Sequence, residues 1–329
     1  MKKLSCLLFI IGLLTISSCN KDSKDNGSGN GFAEGTVYAL KAGKTISGAR
    51  VYTNIAGQLY ETRSNTSGYF KLQLPAGHHQ LFIETGKGKL FKSTFEADIV
   101  ANELTVLPPS ETQLNQVGQL AFIWGQYDFI QQIITDSLGY SIDPIYTGQL
   151  SVLSQFSQYD AVFINCGAPD LSDSAGYSNL AQYVTDGGSL YVSDYSVSYL
   201  TGIHTGGCSR PFGFIEDSLL CSSKAGSGGI THNGAIVDTA FQTFMGKTNM
   251  LIYYDLPQWE VIQAYDPSYW DLIVRLPGSI PLMLRKSNFS NGTSGGNGGN
   301  IYFTTFHNEP NGLINQDMQH MLEYVILNL

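Results

Sequence analysis

The chain is poor in charge. Asp, Glu, Lys and Arg make up 14% of 329 residues, with 18 basic against 27 acidic residues and a formal charge of −9. A protein that neutralises phosphates needs a dense basic surface, so nucleic acid is excluded as a partner. Cysteine is rare, at 5 residues, too few to staple a chain of this length. No apolar run reaches the ~20 residues of a membrane-spanning helix. The stretch from Leu4 to Leu14 comes nearest and falls far short. Glycine, by contrast, is plentiful at 36 residues, aromatics make 12% and hydrophobic residues 43%. That profile suits a β-rich, loop-rich exported protein with enough apolar surface for more than one core. At roughly 100–200 residues per domain, two domains are expected.

Lys2 and Lys3 precede the short apolar stretch, which ends in Ile16, Ser17, Ser18 and Cys19. This resembles the bacterial lipoprotein box, which implies cleavage before Cys19 and lipid on its sulfur. Residues 1–18 would then be the signal peptide and 19–33 a flexible tether. The tether is polar and rich in Gly and Ser. Acyl chains would hold a soluble body to a membrane, as an outer-membrane lipoprotein. Lys21, Asp22, Ser23, Lys24 and Asp25 resemble surface-export signals of some Gram-negative lipoproteins, which implies the cell surface. With Cys6 removed and Cys19 lipidated, Cys166, Cys208 and Cys221 remain. Cys208 and Cys221 share a Gly/Ser-rich region and can pair in an oxidising compartment. Cys166 lies in an apolar run and reads as a buried thiol.

Residues 34–107 alternate in short β-like runs: Gly35–Leu40, Arg50–Thr53, Leu59–Arg63, Tyr69–Gln73, His79–Glu84 and Phe91–Ile99. Four landmarks follow in order: Gly35 to Val37, Ile46 to Val51, Thr66 to Phe70, and Leu74 to Gly77. They resemble the carboxypeptidase regulatory-like domain, which implies a transthyretin-like all-β sandwich. Gly68 supplies a hairpin turn before the core residue Phe70. The family has no catalytic residues in this module and uses it as a spacer or docking unit. Tyr38, Tyr52, Tyr60 and Tyr69 read as cross-strand packing as readily as a glycan platform. His78 and His79 have no third ligand near in sequence and read as a solvated strand start.

From Val117 the pattern changes. Apolar strands at Gln119–Gly125, Ile142–Tyr146, Asp160–Asn165 and Gly188–Ser193 alternate with helical stripes at Phe129–Leu138, around Leu150, Leu153 and Phe156, and at Ala175–Thr185. This predicts a parallel sheet covered on both faces. Tyr159 to Ile164, Leu180 to Leu190 and Gly299 to Glu309 resemble the class I glutamine amidotransferase-like fold. The resemblance implies a three-layer, flavodoxin-like α/β domain over 117–329. Gly292 to Gly299, between two apolar runs, reads as a hairpin tip rather than a phosphate cradle.

The family's nucleophile is a Cys on a tight elbow between glycines. Here that strand ends in Val192, Ser193, Asp194, Tyr195 and Ser196, without Cys or Gly, so the chemistry does not carry over and the flexible elbow is expected to be missing. Ser193 and Cys166 are the remaining candidate nucleophiles, each with a bland packing reading beside it. His307 and Glu309 alternate on one strand and point to one side. Asp170 and Asp194 belong to the same sheet edge, where α/β crevices bind ligands. Such a set can hold a divalent metal or a sugar, or be a relic pair with a structural hydrogen bond; no other cofactor is predicted. Tyr253, Tyr254, Trp259, Tyr265, Tyr269 and Trp270 are candidates for sugar stacking or for core. The expected function is a lipid-anchored envelope protein with a non-catalytic head that binds a glycan or an envelope protein. The alternative is a hydrolase acting on a carbohydrate or amide around His307 and Glu309.

Overall fold

Period-two burial builds the N-terminal strands. In Phe91–Ile99 the odd positions Phe91, Ser93, Phe95, Ala97 and Ile99 are buried and the even ones face outward, as in a sheet with one covered face. The computed structural model describes residues 29–202, 213–215, 219–290, 298–309 and 315–329. Cys19 and the tether up to residue 28 lie outside the described residues, as does Cys208.

Among the described residues the N-terminal strands are β1 (Asn30–Thr36), β2 (Arg50–Ile55), β3 (Gln58–Arg63), β4 (Tyr69–Pro75), β5 (Gly77–Thr85), β6 (Phe91–Ile99) and β7 (Leu104–Val106). They form two sheets, ordered β4-β1-β7 and β3-β2-β5-β6. The strand expected at Gly35–Leu40 is instead β1, several residues earlier. β7 was not expected, because three residues are too few to display alternation. The turn at Gly68 (φ +80°) joins β3 to β4 in the other sheet, so it is a crossing rather than a hairpin. A Cβ there would lie 2.9 Å from the Val37 carbonyl oxygen, which only glycine avoids. Phe70, two residues on, is buried as expected.

The C-terminal strands are β8 (Leu120–Ile123), β9 (Asp143–Ile145), β10 (Ala161–Ile164), β11 (Ser189–Ser193), β12 (Leu220–Lys224), β13 (Ile230–Ile236), β14 (Asn249–Tyr254), β15 (Glu260–Tyr265), β16 (Asp271–Arg275), β17 (Pro281–Lys286) and β18 (Ile301–Thr304). The helices are α1 (Ile130–Gln132), α2 (Ser174–Thr185), α3 (Ser198–Thr201), α4 (Thr239–Met245) and α5 (Gln316–Asn328). Nine strands make one sheet, ordered β14-β13-β16-β17-β18-β11-β10-β8-β9. The run from β9 to β18 is parallel. Every residue of β8, β10, β11 and β18 is buried, the mark of a sheet covered on both faces. Tyr177, Leu180 and Val184 of α2 pack with Val162 and Val192 on one face. Met321, Leu322 and Val325 of α5 pack with Phe163 and Tyr191 on the other. Asp173 and Asp238 cap α2 and α4 by accepting from the N–H of Gly176 and Phe241.

The helix expected at Phe129–Leu138 is a single α-turn running into a π-helical turn, with the Leu138 N–H reaching the Ile133 carbonyl five residues back at 3.0 Å. The stripe at Leu150 to Phe156 forms two 3-10 turns, Thr147–Ser151 and Leu153–Gln155, rather than a helix. β13, β14, β16 and β17 extend the parallel run with antiparallel strands. β13, β14 and β16 lie between residues 200 and 278, where the sequence displays no family motif. β17 and β18 are the hairpin expected around the Gly-rich stretch, whose residues 291–297 lie outside the described residues.

One apolar cluster runs from Leu72 and Phe91 through Tyr140 to Leu327. Phe91 and Tyr140 have ring centroids 4.4 Å apart, and the Ser47 hydroxyl donates to the Phe244 carbonyl at 3.1 Å. Among the described residues no helix is long and apolar enough to cross a membrane.

Candidate functional site

Five strands run parallel, so their C-terminal ends share one edge. β11 delivers Ser193 and then Asp194; β18 leads through Thr305 and Phe306 to His307 and Glu309; β10 is followed by Asn165 and Cys166. Asp194 has φ +42°, the left-handed region that an aspartate tolerates better than most residues. The elbow expected to be missing is therefore formed without glycine, and a carboxylate occupies its apex.

Asp194 is fully buried. Its Oδ1 accepts the Glu260 backbone N–H at 2.7 Å. Its Oδ2 lies 3.6 Å from His307 Nδ1, and the Cys166 thiol donates to the same oxygen at 3.6 Å. On the far side of the ring, His307 Nε2 stands 3.3 Å from Asp255 Oδ1 and 3.9 Å from Glu309 Oε1. His307 is buried, and neither ring nitrogen makes an aligned hydrogen bond. Burial disfavours the charged ring, but Asp194 and Asp255 outweigh it and hold the imidazole pKa well above its ordinary value. Burial raises the Asp194 carboxyl above its usual range. Asp255 is also partly desolvated, yet His307 keeps its carboxyl below that range.

Asp255 reaches His307 because the sheet curls. Three strands separate β14 from β18. Four steps of about 4.8 Å would set them about 19 Å apart in a flat sheet. Yet the Tyr254 and Thr305 hydroxyls hydrogen-bond at 2.8 Å. Tyr254 also stacks on Trp259 at 4.1 Å, filling the curl with aromatic rings. Tyr254, Trp259 and Trp270, read as candidate sugar platforms, are buried core residues. Among the described residues, the exposed aromatics on this edge are Trp124 and Tyr127 after β8 and Tyr146 after β9.

The two candidate nucleophiles are both engaged. Burial and the neighbouring Asp194 push the Cys166 thiol up to about 12, leaving little thiolate at neutral pH. The Ser193 hydroxyl is fully buried and donates to Asp128 Oδ2. Asp128 was not singled out in the sequence. Its Oδ1 accepts the Asn308 N–H at 3.0 Å, while the Asn308 side chain donates to the Phe129 carbonyl at 2.7 Å. Asp128 thus clamps the segment that carries His307. Asp170 accepts from the Ser198 hydroxyl at 2.7 Å and stands apart from the His307 group. Cys221 is disulfide-bonded.

Among the described residues, two sets of donor atoms lie within 4.8 Å of one another: Cys166, Asp194 and His307, all buried, and Asp255, His307 and Glu309, with both carboxylates partly exposed. Asp128, Asp255 and Glu260 were missed because they are brought to the site by other strands and loops, and no local motif marks them.

No protein-family model matches the chain, and no curated protein matches it. Among solved structures, a ThuA-like protein from Bacteroides uniformis matches 64% of this chain and 89% of its own length, at 10% identity and a TM-score of 0.41. A glutamine amidotransferase from Thermotoga maritima matches 58% of this chain and 75% of its own, at 8% identity and a TM-score of 0.36. These are likenesses of fold, and nothing about ligand or reaction passes through them.

Proposed function

We propose that the chain is a lipid-anchored protein of the bacterial cell envelope whose C-terminal α/β part binds a ligand without cutting it. Cys19 would carry the lipid, with residues 19–33 as tether and 34–107 as a transthyretin-like sandwich. Residues 117–329 would form the amidotransferase-like head, held to the outer membrane and facing the cell surface. Cys221 would take Cys208 as its disulfide partner. The observation that carries the non-catalytic reading is the Asp194 carboxylate at the elbow, already engaged by Glu260, Cys166 and His307. The exposed Trp124, Tyr127 and Tyr146 on the same edge support a glycan as the ligand, because flat aromatic faces stack on sugar rings. An envelope protein is the other class of partner this edge would accept.

Two experiments test this reading. A palmitate analogue should label the wild type and not Cys19→Ala; equal labelling would remove the anchor. A glycan array should give binding that falls with Tyr146→Ala and Trp124→Ala, with no turnover of glycoside or amide substrates. Turnover abolished by His307→Ala would establish the alternative, hydrolysis of a carbohydrate or amide around His307 and Glu309. The feature favouring that second reading is His307 held between Asp194 and Asp255.

A further inference from the structure

We infer that Asp255, His307 and Glu309 form a binding site for a first-row transition-metal dication, with His307 coordinating through Nε2. This goes beyond the binding-head reading and does not depend on it, since a protein can hold such an ion with or without turnover.

The spacing is the first argument. Metal–donor bonds of about 2.0–2.2 Å in tetrahedral geometry set donors about 3.3–3.6 Å apart. His307 Nε2 is 3.3 Å from Asp255 Oδ1 and 3.9 Å from Glu309 Oε1. All three donor atoms lie within 4.8 Å of one another. The separation of His307 Nε2 from Glu309 Oε1 exceeds that range by only a few tenths of an ångström.

The second argument is the unpartnered imidazole. His307 is only 4% exposed and neither ring nitrogen has an aligned hydrogen-bond partner. A buried polar group left so costs about 1–3 kcal/mol. Metal binding displaces the Nε2 proton that the flanking carboxylates favour, and the freed lone pair directed at the cation removes that cost without requiring N–H geometry.

The third is Asp194. Histidine ligands commonly give their other N–H to a carboxylate, which fixes tautomer and ring orientation. Asp194 Oδ2 stands beside Nδ1, and its Oδ1 is anchored by the Glu260 N–H. The elbow that holds a nucleophile in the resembling family here positions the ligand histidine. One imidazole with two carboxylates selects zinc, manganese, iron or cobalt over magnesium and calcium, which prefer oxygen alone. Both carboxylates are partly exposed, so the ion keeps positions open to water or ligand. The other donor set shares His307 but is sealed, and its Asp194 is already held by Glu260.

The test uses the full chain in detergent, stripped with a chelator. Zn2+ is titrated against a chromophoric competitor, and Co2+ is followed by its visible spectrum. The expected result is one ion per chain, with affinity falling at least about tenfold in Glu309→Gln and in Asp194→Asn. The Co2+ spectrum should lack a thiolate charge-transfer band. Glu309→Gln lies at the partly exposed rim, so it tests the site without disturbing the core, and an unchanged melting temperature of the stripped protein checks this. Absence of stoichiometric binding would overturn the proposal. So would binding that survives Glu309→Gln and Asp255→Asn together, or a thiolate band placing the ion on Cys166. Failure here leaves the glycan-array result standing, so the two readings are separable.

Discussion

Asp194 Oδ2 lies 3.6 Å from His307 Nδ1, joining the apex of the elbow after β11 to the residue delivered by β18. The two strands are parallel neighbours, so adjacent strand ends bring together residues 113 positions apart in the chain (307 − 194). Because Asp194 also accepts the Glu260 N–H, removing its carboxylate leaves a buried donor without its acceptor and the buried imidazole without one of the carboxylates that face it. Asp194→Ala is expected to cost about 2–4 kcal/mol, with strain at φ +42° adding to lost pairing. Asp194→Asn keeps an acceptor and tolerates the left-handed backbone, so it should cost less than half as much. Urea unfolding of both variants checks the ranking; equal costs would contradict it.

Asp128 should matter nearly as much, although it does not touch His307. It accepts from the Ser193 hydroxyl and the Asn308 N–H, and Asp128→Ala strands both donors inside the protein. A loss of about 1–3 kcal/mol is expected. Hydrogen exchange at Asn308 should accelerate beyond what global destabilisation explains. An unchanged Asn308 rate would show that the segment is held by something else.

Cys166 is fully buried, so a thiol reagent should reach it only through unfolding. Labelling is expected to follow the global opening rate, rising steeply with urea and hardly with reagent size. Cys166→Ala should leave ligand binding unchanged. Fast modification of the native protein would mean that the crevice opens far more than its packing implies.

Glu323 on α5 accepts from Ser137 and Gln319, faces Lys44 at 2.6 Å and meets His320 at 3.3 Å. Burial alone would raise its carboxyl, but His320 and Lys44 prevail and hold it below the ordinary value of 4.5. A carboxyl depressed in the folded state contributes stability above its unfolded pKa and loses it as pH falls through the folded one. Glu323→Gln should therefore destabilise at neutral pH, by about 1–3 kcal/mol. The gap from wild type should narrow as pH drops below about 4.5. A gap that stayed constant down to acid would rule out an ionised Glu323 as its source.

Much of the architecture was legible in local pattern. Period-two alternation marked β2 to β6 to within two residues at each end, because half-buried strands must alternate. Unbroken apolar runs marked β8, β10 and β11, because strands covered on both faces have no polar side to display. His307 and Glu309 do come together, 3.9 Å apart, but beyond the end of β18 at Thr304 and not as alternate residues of one strand. The stripe at Phe129–Leu138 marked a helical segment, but apolar spacing does not reveal that its α-turn widens into a π-turn. The aromatic run was left open between sugar stacking and core, and Tyr254, Trp259 and Trp270 are core: composition does not distinguish a ring that faces a sugar from one that fills a curled sheet.

By itself, the sequence determined the β-rich character of the N-terminal segment, the parallel run with its shared edge, and the absence of a cysteine at the end of β11. Local periodicity and residue identity are enough for these, because each concerns neighbours along the chain. Only the tertiary structure decided that Asp194 forms an elbow without glycine, that Asp128 clamps the His307 segment, and that Asp255 meets His307 Nε2. The last depends on a sheet curling through four strand steps, and that curvature is set by aromatic packing between residues far apart in the chain, which no local spacing encodes.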